Sequence, residues 1–143
     1  MHERRFRVTI THMSDPSPAE RLTSVFAPEA AAPRLARHWA HPVLASWGLD
    51  GSMADAVVAV SELMTNAIVH GAGDVELSLV RFAGRVRIEV RDHGTGEVTA
   101  GRPSSDAPGG RGVHIIGQMA RAWGVEPCAD GGKTVWAEFD LTK

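Results

Sequence analysis

Three polar side chains recur at intervals of four residues within SELMTNAIVHG, residues 61–71: Glu62, Asn66 and His70. Residues four apart on a helix are neighbours on one face. A carboxylate and an amide oxygen near the negative C-terminal end of a helix suit Mg²⁺ and its water ligands. The alternative is a solvated stripe on an amphipathic helix, because polar helix faces usually meet water.

A second polar group ends an alternating apolar segment at RDHGTG, residues 91–96. The alternation is carried by Val86, Ile88 and Val90. Asp92 continues the same parity, so its carboxylate is expected at the end of the inward row. The amino group of a purine would give such a buried acid a hydrogen-bond donor, while Gly94 and Gly96 allow close backbone approach. The alternative is a simple turn that ends a strand.

A third feature is the glycine-rich run PGGRGVHII, residues 108–116, which leads into a predicted helix. Free backbone N–H groups at a helix start form an anion site suited to phosphates, and Arg111 adds positive charge between Gly110 and Gly112. Glycine-rich runs are also common as plain turns. This run is neither a Walker P-loop nor a dinucleotide fingerprint, because it lacks the residues that end those motifs.

The elements that hold these groups follow from hydrophobic periodicity. Apolar residues at helical spacing predict a helix over 52–70, ended by Gly71. Strands with period two are predicted at 75–79 and 86–90, with a hairpin at Gly84. Further predictions are a long functional loop over Glu97–Gly112, a helix over Val113–Trp123, a turn at Gly131–Gly132 and a last strand over Thr134–Leu141.

The N-terminal part predicts two short strands and one helix. The strands are Phe6–Ile10 and Leu22–Phe26, and the helix is Pro28–Trp47, with a kink or early stop expected at Pro42 and an end at Gly48. Paired strands with helices between them favour an α+β fold: a two-layer α/β sandwich, with a mixed, mostly antiparallel sheet covered on one face by helices.

Composition limits the class of protein. A chain of 143 residues that is 43% hydrophobic is expected to form one domain. A net charge of -2 gives no overall field toward nucleic acid or an acidic membrane. The seven histidines do not complete a metal-ligand set, and the single Cys128 has no internal disulfide partner. The expectation is a reduced, cytoplasmic, soluble protein without a membrane span.

The three motifs, in this order, resemble the ATP-binding boxes of the superfamily that contains gyrase, histidine kinases, mismatch-repair ATPases and a heat-shock chaperone, whose shared architecture is called the Bergerat fold. Within that superfamily, the segment SELMTNAIVHG resembles the bacterial anti-sigma-factor serine/threonine kinases. The resemblance covers roughly Leu22–Leu141. It implies a histidine-kinase-like ATP-binding domain over residues 21–143, with residues 1–20 as an N-terminal extension that adds a strand, serves a partner surface or is a plain tail.

The resemblance also implies roles for single residues and two ligands, ATP and Mg²⁺. Glu62 would be the general base, and Asn66 would ligate Mg²⁺ that bridges the phosphates. Asp92 would read the adenine amino group, beside Gly94 and Gly96. The loop residues Gly110, Arg111 and Gly112 would close over the phosphates. Thr134 would lie near the adenine, although its parity is opposite to that of the apolar face.

Two functions remain open at the level of sequence. The first is an ATP-dependent kinase that phosphorylates Ser or Thr of an anti-sigma-antagonist domain and controls a sigma factor by partner switching. The second is a non-catalytic ATP-binding regulator whose loop state controls a protein partner. Neither requires direct contact with nucleic acid or a membrane, and homodimerisation is left open.

Overall fold

The computed structural model describes residues 4–5, 18–94 and 116–141. Its elements are β1 (Arg4–Arg5), β2 (Glu20–Phe26), α1 (Ala32–Ser46), α2 (Met53–His70), β3 (Val75–Phe82), β4 (Arg85–Asp92), β5 (Ala122–Pro127) and β6 (Lys133–Asp140). The six strands form one sheet in the order β1-β2-β3-β4-β6-β5. Every described pairing is antiparallel. Helix α2 packs on β3, β4 and β6, and α1 packs on α2, which confirms the predicted α+β sandwich.

The core lies between the helices and one face of the sheet. Alternate residues of the three central strands supply the sheet side: Val75, Leu77, Leu79, Val86, Ile88, Val90, Val135, Ala137 and Phe139 are all buried. Ile88 lies directly opposite Leu79 on one neighbouring strand and Ala137 on the other. The period-two predictions for these strands are therefore confirmed, since their apolar rows face the same layer.

Helix α2 follows the predicted bounds closely. Its buried apolar stripe contains Val60, Leu63, Met64 and Ala67, at positions i, i+3, i+4 and i+7 of the helix. Gly71 follows the last helical residue, and its backbone N–H donates to the carbonyl oxygen of Ala67. The C-terminal end of α2 therefore lies next to the last residue of β4.

Helix α1 begins later than predicted and continues past its proline. It starts at Ala32, with Pro33 in the first turn, where the missing N–H costs no internal hydrogen bond. Pro42 lies inside the helix and is exposed to solvent, yet the helix runs on to Ser46. Of the kink or early stop expected at Pro42, the early stop is wrong, because packing of the buried stripe against α2 holds the last turn in place.

The predicted helix over 113–123 is wrong in its last four residues. Residues 116–119 are helical, but Ala122–Pro127 form β5, which pairs with β6 along its length. The predicted strand over 6–10 and the predicted long loop over 97–112 lie outside the described residues, so both stay predictions.

Candidate functional site

The candidate site is a corner where three segments distant in sequence meet. Asp92 is the last residue of β4, Lys133 is the first residue of β6, and the two lie opposite each other in the strand register. Gly71, immediately after α2, lies against the Asp92 carboxylate. The corner is therefore formed by the end of one helix and the ends of two adjacent strands.

Asp92 is 1% exposed, and only one of its two carboxylate oxygens has hydrogen-bond donors among the described residues. Its Oδ1 accepts a hydrogen bond from the backbone N–H of Gly94 at 2.8 Å and one from the Lys133 ammonium at 3.1 Å. Its Oδ2 has no hydrogen-bond partner among the described residues. A buried oxygen without a donor is rare in folded proteins, so this atom is suited to a ligand that brings an N–H group.

Three glycines make the corner tight. A Cβ on Gly71 would lie 2.4 Å from the Asp92 Cγ, and a Cβ on Gly94 would lie 2.6 Å from the Cα of Gly71. A Cβ on Gly132 would lie 2.2 Å from the Asp92 carbonyl oxygen. These positions exclude any larger residue without movement of the backbone, and they fix the carboxylate against the end of α2.

The polar stripe of α2 is not a uniformly solvated face. Asn66 is 2% exposed, and its Nδ2 has no acceptor among the described residues. Glu62 and His70, one turn before and one turn after it, are half-buried. Within the described ranges Glu62 has no ion pair. Burial of an amide with a free donor favours the interpretation of Asn66 as a ligand-binding residue over that of a solvated edge.

Thr134 does not join this corner. It follows Lys133 on β6, so its side chain points to the opposite face of the sheet. There it lines a cavity of about 270 Å³ together with Arg21, Glu76 and Arg91. The residue of β6 that the structure brings to Asp92 is Lys133, which the sequence reasoning did not single out.

A salt bridge on that opposite face ties the turn before β6 to β4. Arg91 donates a hydrogen bond to Asp130, and the backbone N–H of Gly132 donates to the same carboxylate. The hydrogen bond from Arg91 is the main reason that the pKa of Asp130 lies below its usual range, followed by that from Gly132. The Asp130 carboxylate raises the pKa of Arg91 in turn.

The remaining predicted site residues lie outside the described part of the chain. They are Gly96, expected beside the adenine, and Gly110, Arg111 and Gly112, expected at the phosphates; these roles stay predictions. Among the described residues, no group of three His, Cys, Asp or Glu side chains is arranged to hold a metal ion. The described helices include none that is long and apolar enough to span a membrane.

The residues at the corner fit an adenine nucleotide. The free Asp92 Oδ2 suits an amino group. On α2, the buried Asn66 would hold Mg²⁺ of a bound nucleotide through its amide oxygen.

The sequence model of the histidine kinase-like ATPase domain matches residues 26–139. The match runs from the last residue of β2 into β6 and includes Gly71, Asp92 and Lys133 of the corner. The chain therefore belongs to the histidine kinase-like ATPase domain family and carries an ATP-binding domain. No curated protein sequence matches the chain.

Proposed function

We propose that this protein is an ATP-dependent serine/threonine kinase of the anti-sigma-factor kinase type. Its substrate would be a serine or threonine hydroxyl on an anti-sigma-antagonist domain, and modification of that partner would control a sigma factor by partner switching. The residues of α2 support this role. This one helix contains the half-buried Glu62 and the buried Asn66, and the glycine that follows it lies against Asp92.

Each residue has a separate part in the proposed reaction. When bound, ATP with Mg²⁺ supplies the phosphoryl group. Asp92 accepts the hydrogen bond of the adenine amino group and thereby fixes the base end of the nucleotide. Asn66 holds Mg²⁺ through its amide oxygen. Glu62, one helical turn away from Asn66, takes the proton of the incoming hydroxyl.

Glu62 suits the role of general base for two reasons. It is half-buried, and the described residues give it no cation that would hold its carboxylate in an ion pair. A structural carboxylate on the same helix would be expected either to face water fully or to pair with an arginine, as Glu89 does with Arg21.

Phosphate transfer from γ-labelled ATP to purified antagonist domains tests this proposal. Glu62→Gln should leave ATP affinity within about twofold of the wild type and lower the transfer rate by about 10²-fold or more, because general bases contribute 10²- to 10⁴-fold. Glu29→Gln, at an exposed position before α1, is the matched control and should transfer phosphate normally. Transfer by Glu62→Gln at the wild-type rate would contradict the assignment.

The same preparations distinguish a kinase from a regulator without catalysis. If the wild type binds ATP and the antagonist domain but transfers no label, the second function is the correct one. Asn66→Ala should bind ATP with an affinity that no longer responds to Mg²⁺, whereas Thr65→Ala, its neighbour on α2, should keep the Mg²⁺ response. The kinase role also implies a cytoplasmic location and partners that are proteins rather than nucleic acid or lipid.

A further inference from the structure

Lys133 is a buried cation at the position where the base of a nucleotide would meet Asp92. We infer that Lys133 is a base-reading residue: its ammonium donates a hydrogen bond to a ring nitrogen that flanks the adenine amino group, while Asp92 accepts from that amino group. This inference rests on the binding of ATP at the Asp92 corner, and it adds a specificity-determining residue to that site.

The position of Lys133 follows from strand register. Lys133 is paired with Asp92 across β4 and β6, and residues directly opposite each other in an antiparallel sheet project from the same face. Both side chains are withdrawn from solvent, with Lys133 5% and Asp92 1% exposed. Its ammonium binds Asp92 Oδ1, so a group that donates to Oδ2 of the same carboxylate lies beside the ammonium.

The ammonium retains donors for a ligand. A lysine ammonium carries three N–H groups and no acceptor. Within the described ranges its one hydrogen-bonded acceptor is Asp92 Oδ1. The corner therefore presents a free acceptor, Asp92 Oδ2, next to a cation with unused donors.

This pair is complementary to one edge of adenine. The adenine amino group is a donor with a ring-nitrogen acceptor on either side of it, at N1 and at N7. An acceptor beside a donor in the protein matches that arrangement. Guanine has an oxygen in place of the amino group, so the same placement would direct a carbonyl oxygen at Asp92 Oδ2. The pair is thus expected to reject guanine in favour of adenine, since unmatched buried polar groups are costly.

A purely structural role for Lys133 predicts different behaviour. A buried carboxylate needs a counter-ion, and Lys133 meets that need whether or not it touches a ligand. If neutralising Asp92 were its whole role, removing a ring nitrogen from the nucleotide would leave affinity unchanged. The two roles are therefore separated by changing the nucleotide rather than the protein.

Calorimetry with ATP, 1-deaza-ATP, 7-deaza-ATP and GTP provides the test. In the wild type, one of the two deaza analogues should bind about tenfold or more weakly than ATP, since hydrogen bonds to charged groups are strong ones. That difference should vanish in Lys133→Met. Arg91→Met removes one positive charge next to Asp92 in sequence but on the other face of the sheet, so it should keep the wild-type ranking.

A second readout observes Lys133 in the wild-type protein and uses substitution only for assignment. The chain contains two lysines, Lys133 and Lys143. Protein labelled at lysine Cε with ¹³C therefore gives two side-chain methylene signals, which Lys133→Met or Lys143→Met assigns. ATP should shift the Lys133 signal, and the weaker-binding deaza analogue at saturation should shift it clearly less.

The outcomes separate the two proposals. Equal affinities of the wild type for ATP and both deaza analogues would overturn the inference for Lys133 and leave ATP binding intact. Tighter binding of GTP than of ATP would overturn it too. If the wild type bound none of the nucleotides, the ATP-binding kinase proposal would fail, and the inference would fail with it.

Discussion

Gly71 is the residue on which the geometry of the Asp92 corner depends most directly. A Cβ at this position would lie 2.4 Å from both the Asp92 Cγ and the carbonyl oxygen of Ala67, and the Ala67 oxygen belongs to the backbone of α2. Gly71→Ala should therefore push the carboxylate away from α2. We expect a loss of about 1 to 3 kcal/mol in the free energy of unfolding and an ATP affinity at least about tenfold lower.

Gly84→Ala provides the control for this prediction. Gly84 lies in the turn between β3 and β4 at φ 84°, and a Cβ at this position would have no heavy atom of another part of the chain within 4 Å. Alanine there should cost about 1 to 2 kcal/mol from backbone strain alone and leave ATP affinity unchanged. Denaturant unfolding and calorimetry measure both quantities. A Gly71→Ala protein with wild-type ATP affinity would mean that the base does not depend on the position of Asp92.

At the residue scale, only part of the site could be predicted from the sequence. The inward direction of Asp92 followed from its parity with Val90, because side chains alternate along a strand. Lys133 could not be found in the same way, since the sequence does not reveal that the last predicted strand pairs with the strand of Asp92 or in which register. The family resemblance directed attention to Thr134 instead, whose parity opposite to the apolar row places it on the other face of the sheet.

At the scale of elements, the missed strand β5 has a physical explanation. It lies at the edge of the sheet, contains Gly124 and ends at Pro127, and its alternation of apolar and polar residues is weak. Both residue types are rare in central strands. Gly124 is explained by packing, because a Cβ there would lie 2.7 Å from the Trp136 ring. Helix α2 and the central strands were predictable because each buries a regular apolar row.

Pro42 leads to a prediction for helix α1. In the interior of a helix a proline removes one hydrogen bond and clashes with the preceding turn. The exposed Pro42 makes no compensating core contact that alanine would lose. Pro42→Ala should raise the free energy of unfolding by about 1 to 3 kcal/mol. The greater conformational entropy of the unfolded chain with alanine offsets a small part of this gain.

Thermal and denaturant unfolding of Pro42→Ala measure this change. Ala45→Gly, at an exposed position in the last turn of α1, should shift stability in the opposite direction by up to about 1 kcal/mol. If Pro42→Ala were less stable than the wild type, the proline would have to contribute to packing or to a partner contact.

The ion pair between Arg91 and Asp130, at the turn between β5 and β6, should make the free energy of unfolding depend on pH. Because Arg91 lowers the pKa of Asp130 in the folded state, the stabilising contribution of this pair is present above the unfolded-state pKa. It is lost as the pH falls through the lowered folded-state pKa. Asp130→Asn should therefore be slightly less stable than the wild type at pH 7, and the difference should disappear in strong acid.

Urea unfolding of the two proteins between pH 7 and pH 2 measures that difference. The double variant Arg91→Met with Asp130→Asn serves as the control, since the second substitution should add little once the arginine is gone. Added salt should reduce the effect, because the pair is exposed. A difference that grew toward low pH would have the wrong sign for this ion pair.

At the scale of the whole molecule, the corner joins parts of the chain that are far apart in sequence. Gly71 follows the central helix, Asp92 ends a central strand and Lys133 begins the last described strand. These segments share one core cluster, so a ligand at the corner should stabilise the whole domain rather than one element. At ATP concentrations 100 times the dissociation constant, the free energy of unfolding should rise by about 2.7 kcal/mol.

Chemical unfolding followed by the fluorescence of two single-tryptophan variants tests this coupling; one variant keeps Trp39 in the helical layer and the other keeps Trp136 on the sheet. Both regions should report one transition that ATP moves to higher denaturant concentration, with no change in its slope. Gly71→Ala should lose most of this shift at the same ATP concentration, whereas Gly84→Ala should keep it. An ATP-dependent shift confined to one region would mean that ATP stabilises that region without stabilising the rest of the fold.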